Sequence, residues 1–195
     1  MIRKKTKVWR WAALFSVALA QLLFPVPSFS LEITSVWVGG DGFWENDNYW
    51  LPNGVPDNDA GASYSVFIDG GDPTSSTVYF SIDDPDFSIS NLTIDQGDML
   101  IQQDLSIFTV EGGDIINNGT LYASAPTGGA TLIFTEDSII TGTGTMDFLG
   151  CLSYLITING KEVTLGHLQK VKGPLNFLFE DGVFTNQGEI RQYGT

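Results

Sequence analysis

Asn117-Asn118-Gly119-Thr120-Leu121 returns, imperfectly, as Asn186-Gln187-Gly188-Glu189-Ile190, 69 residues further on. Such an offset corresponds to about three turns of 23 residues in a solenoid. Gly-Thr pairs echo the same motif at Gly119-Thr120, Gly142-Thr143, Gly144-Thr145 and Gly194-Thr195. Apolar triads recur at irregular intervals: Leu92-Thr93-Ile94, Ser106-Ile107-Phe108, Thr131-Leu132-Ile133 and Thr145-Met146-Asp147. Stacking in register places like residues above one another, so that apolar positions build a continuous core and Asn or Thr form ladders. Irregular spacing fits a β-helix, whose loops vary in length, better than a propeller of strict period. The expectation is an all-β chain folded as a right-handed, single-stranded parallel β-helix. A β-sandwich is the alternative, because it also uses many short strands.

The surrounding text agrees. Candidate strands are Ser65–Ile68, Thr77–Ile82, Phe87–Ile94, Met99–Ile101, Leu105–Val110, Asp114–Ile116, Thr120–Ala123, Thr131–Thr135, Ile139–Thr141, Thr145–Leu149 and Tyr154–Ile158. Between them lie turn-forming groups such as Gln96-Gly97-Asp98 and Glu111-Gly112-Gly113, in which Gly supplies positive φ at corners. Sustained helical periodicity with caps is missing from residue 31 onward.

Residues 1–30 read as a secretory signal peptide. Arg3, Lys4, Lys5, Lys7 and Arg10 precede the apolar run WAALFSVALAQLLF, and small Ser28 and Ser30 then flank a cleavage point. The run is too short to span a bilayer as a helix. Cleavage after Ser30 leaves 4 bases, Lys161, Lys170, Lys172 and Arg191, against 23 acids, a net charge of −19. Residues 31–160 hold 19 acids and no Lys, Arg or His. That balance excludes nucleic acid as a partner, since phosphates need cations to neutralise them. The signal peptide implies a secreted, extracellular or cell-surface location, with the membrane met only during export. Cys151 is the single cysteine, so no intramolecular disulfide forms; its apolar neighbours make it a small core residue.

Residues 31–62 are dense in Trp, Gly, Asn and Pro and read as an N-terminal cap of loops and tight turns, with the rungs running over 63–195. Trp37-Val38-Gly39-Gly40-Asp41-Gly42-Phe43-Trp44, then Asn48-Tyr49-Trp50, then Gly54-Val55-Pro56-Asp57, resembles the opening of exported bacterial β-helix proteins of the autotransporter-passenger-like and PEP-CTERM sorting types. Asn91-Leu92-Thr93-Ile94 and the Asn-Gly-Thr text above resemble their rungs. The resemblance implies a surface-exposed structural role. Three features depart from it: Tyr49 intrudes between Asn48 and Trp50, residues 161–172 gather Lys and the one His, and no Val-Pro-Glu-Pro sorting tail or barrel occurs within the 195 residues.

Little in the chain suggests catalysis. A polysaccharide lyase needs a positioned base, and cations begin only at Lys161. Glycoside hydrolysis needs two carboxylates at a set distance; Asp83 and Asp86 form one nominal pair, but Asp83-Asp84-Pro85-Asp86 reads as a solvated turn. His167 is alone, which excludes a multi-histidine zinc site, and no G-x-S-x-G elbow accompanies it. A phosphate-binding loop ending in Lys-Ser/Thr is missing too. The expectation is a protein without catalytic activity and without a required cofactor. Calcium is the one ion the composition invites, through Asp41, Asp57, Asp59 and Asp69, although neither an EF-hand nor a Gly-rich calcium repeat is present.

Trp37, Trp44 and Trp50, with Phe43 and Tyr49, plug the N-terminal end of the solenoid in the primary reading, because an open end exposes apolar core. In the alternative they form a sugar-stacking platform. The function expected is structural or adhesive at the cell surface; the alternative is a module that binds or acts on an extracellular polysaccharide. Phe184–Ile190 reads as the opening of a further rung. The chain is therefore expected to be incomplete at its C-terminal end and to self-associate there through Phe177, Phe179 and Phe184.

Overall fold

Alternation of apolar and polar residues, with turn residues every few positions, folds into short strands that each bury one face. A computed structural model describes residues 30–59, 61–69, 75–80, 86–125, 128–150, 153–157 and 160–192. In chain order the strands are β1 (Leu31–Trp37), β2 (Gly42–Phe43), β3 (Trp50–Leu51), β4 (Ala62–Ile68), β5 (Thr77–Tyr79), β6 (Asp86–Ile89), β7 (Asn91–Ile94), β8 (Met99–Gln102), β9 (Ile107–Val110) and β10 (Ile115–Asn117). They continue with β11 (Thr120–Ala125), β12 (Thr131–Phe134), β13 (Ser138–Thr141), β14 (Thr145–Gly150), β15 (Ser153–Thr157), β16 (Glu162–Leu165), β17 (Lys170–Lys172), β18 (Leu175–Phe179), β19 (Val183–Asn186) and β20 (Glu189–Arg191).

Three sheets result. Sheet A runs β19-β16-β13-β10-β7-β4-β1-β3, sheet B runs β2-β5-β8-β11-β14-β17-β20, and sheet C runs β18-β15-β12-β9-β6. Apart from β3, each strand up to β17 pairs in parallel with the strand three places later, as in β4–β7, β8–β11 and β9–β12. The chain thus visits A, B and C in turn and climbs one rung per circuit. This is a parallel β-helix, and the parallel pairing excludes the antiparallel sandwich. Inward columns fill the interior: Val66, Leu92, Ile115, Ile140 and Leu165 from sheet A, Val78, Leu100, Leu121, Met146 and Val171 from sheet B, and Phe87, Phe108, Leu132 and Leu155 from sheet C, all buried.

The Gly-Thr echo marks the corner between sheets A and B. Thr120 N–H donates to Asp98 O, Thr145 N–H to Gly119 O, and Glu189 N–H to Gln169 O. At Gly144 an added Cβ would lie 2.3 Å from Gly119 O, and at Gly119 it would lie 2.3 Å from Asp98 O. Successive turns therefore touch backbone to backbone at Gly119 and Gly144, where no side chain fits, while Asp98 and Gln169 hold the same register position on the rungs either side. The 69-residue offset is a true register: Leu121 pairs with Met146, Met146 with Val171, and Val171 with Ile190. On sheet A the same offset slips, since Asn186 stands in line with Leu165, Ile140 and Ile115 rather than with Asn117. The last A–B corner is shorter.

Several boundaries differ from the sequence expectation. Residues 31–62 begin with a full rung strand, β1, paired with β4 over seven positions. What closes sheet A at that end is β3, antiparallel to β1 through Val36↔Leu51 and Trp37↔Trp50. The candidate strand Phe87–Ile94 divides at Ser90 into β6 and β7, which belong to different sheets, because a single residue suffices to turn the C–A corner. β16 and β17 escaped the list of candidate strands, since their outward positions carry Glu and Lys. Cys151, Asp83 and residues 1–29 lie outside the described residues, as does Gly194-Thr195.

Candidate functional site

Acidic and amide side chains concentrate at the corners, and their bonds explain why. Asp114 N–H donates to Asn91 Oδ1 at 3.0 Å, and Asp114 Oδ1 in turn accepts Ile139 N–H at 2.8 Å. Asp137 Oδ1 accepts Glu162 N–H at 2.8 Å, again 25 residues ahead. Asp57 Oδ1 takes Ser88 N–H, and Asn58 Oδ1 takes Tyr64 N–H. At the A–B corner, Asp41 accepts Thr77 N–H, Asp98 accepts Ser76 N–H and Asn118 accepts Thr143 N–H. At the B–C corner Asp104 accepts Gly128 N–H. Where a rung leaves one sheet before joining the next, backbone N–H groups lose their ladder partners. An Asx side chain of a neighbouring rung replaces them, much as a cap does at a helix end; Asp57 does the same for Ser88 in β6, the edge strand of sheet C, and Asn58 bonds Tyr64 within its own rung.

The four aspartates considered for calcium fall into this pattern or beside it. Asp41 lies at the A–B corner before β2, and Asp69 follows β4 at the next A–B corner. Asp57 bonds Ser88, and Asp59 Oδ1 accepts Gly61 N–H and Ala62 N–H at 2.7 and 2.8 Å before β4. Among the described residues no three His, Cys, Asp or Glu side chains gather into a group that could hold a metal ion.

Trp37, Trp44 and Trp50 are fully buried at 0% exposure. Every indole N–H is used inside the chain, by Gly40 O, Pro56 O and Trp44 O respectively. Trp50 packs edge-on against both others, at centroid distances of 5.0 and 4.7 Å, and Trp44 continues into Phe80 at 5.1 Å. Rings enclosed in this way leave no face for a sugar, so these three tryptophans are not a stacking platform. They are the interior of the first rungs.

Other nominated groups are accounted for locally. Asn91 Nδ2 donates to Ser65 Oγ at 3.0 Å, so its sequon position is a rung contact. His167 is exposed in the turn before β17. Lys161 forms an ion pair with Glu136, and that hydrogen bond, with the charge of Asp137 beside it, holds the ammonium pKa above its ordinary value.

The outer face of sheet B carries the arrangement that sequence reading missed. Phe43 pairs with Tyr79, Tyr79 with Ile101, and Ile101 with Tyr122; the column continues through Asp147 and Lys172 to Arg191. A parallel column holds Thr77, Met99, Thr120, Thr145, Lys170 and Glu189. The intervening residues point into the core, so both columns face outward. Phe43 is 54% exposed, and its ring lies 5.9 Å from that of Tyr79. Lys170, Lys172, Glu189 and Arg191 surround a depression of about 190 Å³ with Val171 at its base, and Arg191 is bonded to Glu189. Steps of 36, 22 and 21 residues separate Phe43, Tyr79, Ile101 and Tyr122 in sequence. Such unequal steps hide the column until register is known.

The chain matches no family model, no curated protein and no solved structure. Fold and contacts together define its class: a parallel β-helix whose corner carboxylates and amides bind one rung to the next.

Proposed function

We propose that this is a secreted, non-catalytic β-helix of the cell surface or extracellular matrix, of the exported bacterial kind its opening motif resembles, acting as a stiff structural or adhesive element. One observation supports the reading: five of the chain's aspartates, Asp41, Asp57, Asp98, Asp114 and Asp137, accept backbone N–H groups between rungs. A carboxylate so held has a structural use that needs no substrate. A dense stack of rungs gives a rod of fixed length with large, flat outward faces, which suits display and spacing. The acidity suits a solvated exterior that repels its own kind. Calcium enters only as a weak surface ligand of the corner aspartates.

The test is made on expressing cells. N-terminal sequencing of the exported protein is expected to begin at Leu31, and intact cells are expected to expose the protein to added protease. Retention of Met1 with full protection inside the cell would overturn the reading.

A further inference from the structure

We propose that the outer face of sheet B binds a linear, carboxylate-bearing polysaccharide lengthwise, with its pyranose faces on Phe43, Tyr79 and Tyr122 and its carboxylates at Lys170, Lys172 and Arg191. The proposal goes beyond the scaffold reading and stands on this face alone. A chain that binds no glycan is still a surface β-helix.

Two independent features of the face point to that ligand. The first is the aromatic column. Rungs stack roughly 4.8 Å apart, so Tyr79 and Tyr122, two rungs apart, stand roughly 10 Å from each other along a straight line. Phe43 extends that line by one rung and Ile101 fills the gap with an aliphatic surface. The three rings, unevenly spaced along the line and with Phe43 and Tyr79 tilted 53° to each other, offer apolar patches to the C–H faces of a sugar chain, while the neighbouring column of Thr77, Thr120 and Thr145 offers hydroxyls to its edges. Tyrosine suits such a site because its ring stacks and its hydroxyl hydrogen-bonds.

The second feature is charge. After residue 30 the chain has four bases, Lys161, Lys170, Lys172 and Arg191. Three of them project from β17 and β20 on this face, with Lys172 directly opposite Arg191, while Lys161 is paired with Glu136 elsewhere. Asp147 and Glu189 stand beside them, and Glu189 orients Arg191. In a molecule of net −19 beyond residue 30, three bases against Asp147 and Glu189 leave this end of the face net positive by one, with Lys170 opposite Glu189 and Lys172 opposite Asp147. Screening over about 8 Å at physiological salt confines the repulsion of the distant acids. Rings at one end of the face and cations at the other match a ligand that is a sugar along its length and an acid at intervals. A bare anion would not use the rings, and a neutral glycan would not use the lysines.

The probes are polygalacturonate and its fully methyl-esterified, neutral form, titrated into the full chain by calorimetry. Polygalacturonate is expected to bind without being cleaved, and to weaken about tenfold between 50 and 200 mM salt as its charge contacts are screened. Lys170→Gln with Lys172→Gln is expected to lower its affinity about tenfold and to leave the weaker binding of the ester unchanged. Tyr122→Ala is expected to weaken both polymers about tenfold. The salt series on the unsubstituted protein decides the charge half of the proposal even where a variant misfolds. Absence of binding by either polymer overturns the proposal. So does equal, salt-independent binding of both, which would make the lysines irrelevant. Self-association blocked by Tyr122→Ala, with no polymer bound, would assign the face to a second copy of the chain instead.

Discussion

Gln169 and Asn117, 52 residues apart, form a buried amide pair that ties three rungs together: Gln169 Nε2 donates to Asn117 O at 2.6 Å, and Asn117 Nδ2 donates to Gln169 Oε1 at 3.3 Å. The same Gln169 Nε2 reaches Thr141 O on the rung between, at 2.9 Å, while Asn117 Nδ2 also bonds Thr145 O. Gln102 does similar work at the B–C corner, bonding Ser106 O and Thr131 O. Side-chain amides here replace ladder bonds that the corner breaks.

Gln169→Leu keeps the volume and removes the donors. Asn117 O and Thr141 O are then left buried without this partner. Asn117 O still accepts Gly144 N–H at 2.8 Å, so a loss of about 1–3 kcal/mol is expected, from the Thr141 carbonyl and the broken amide pair. Urea unfolding followed by circular dichroism measures it, and a loss below about 0.5 kcal/mol would mean that the corner relaxes or admits water.

Gly144→Ala tests the backbone contact at the A–B corner. Its Cβ would meet Gly119 O at 2.3 Å and Asn117 O at 2.8 Å. Neither atom is the end of a flexible side chain, so the two rungs must separate. The expected cost is about 3 kcal/mol, large for a methyl group. Gly40→Ala is the control, because nothing lies within 4 Å of its added Cβ. Thermal melts of the two variants are expected to differ by about 6–12 °C, at roughly 2–4 °C per kcal/mol for a chain of this size.

How much of this was legible beforehand depended on whether a feature was local. The corner glycines carried the repeat: Gly119, Gly144 and Gly188 share one register position, which Asp98 and Gln169 fill on the other rungs. Alternation marked β7, where Leu92 and Ile94 face inward and Asn91 and Thr93 outward, while β9 and β12 showed as short β-branched and aromatic runs with Ile107 and Ile133 on the outer face. β1 was hidden because the Trp- and Gly-rich text after it suggested loops, and β17 because Lys-Val-Lys has only one inward residue. The sheet B column could not be read at all: Phe43, Tyr79 and Tyr122 become neighbours only through pairing, and rung length varies. The three tryptophans drew attention by residue type, yet type does not distinguish a buried ring from a displayed one. Among the aspartates, abundant enough to nominate for any chemistry, Asp41, Asp57, Asp59, Asp98, Asp104, Asp114 and Asp137 accept backbone N–H groups.

Calcium is expected to do little. Asp41, Asp57 and Asp59 already accept backbone N–H bonds, so an ion competes for occupied lone pairs. At a concentration equal to a weak Kd the gain is about 0.4 kcal/mol, or roughly 1–2 °C. Melts in millimolar calcium and in chelator measure the difference; a rise above about 6 °C would indicate a built site.

The central claim is that the corner aspartates act as hydrogen-bond acceptors between rungs and that their charge is incidental. Unfolding free energies of Asp57, Asp114 and Asp137, each changed to Asn and to Ala, test it most directly. Asn keeps a side-chain oxygen at the same reach, and is about as good a cap as Asp. The account predicts that each Asn variant stays within about 0.5 kcal/mol of the unsubstituted protein and that each Ala variant loses about 1 kcal/mol. Asn variants that lose as much as the Ala variants, or Ala variants that lose nothing, would contradict it.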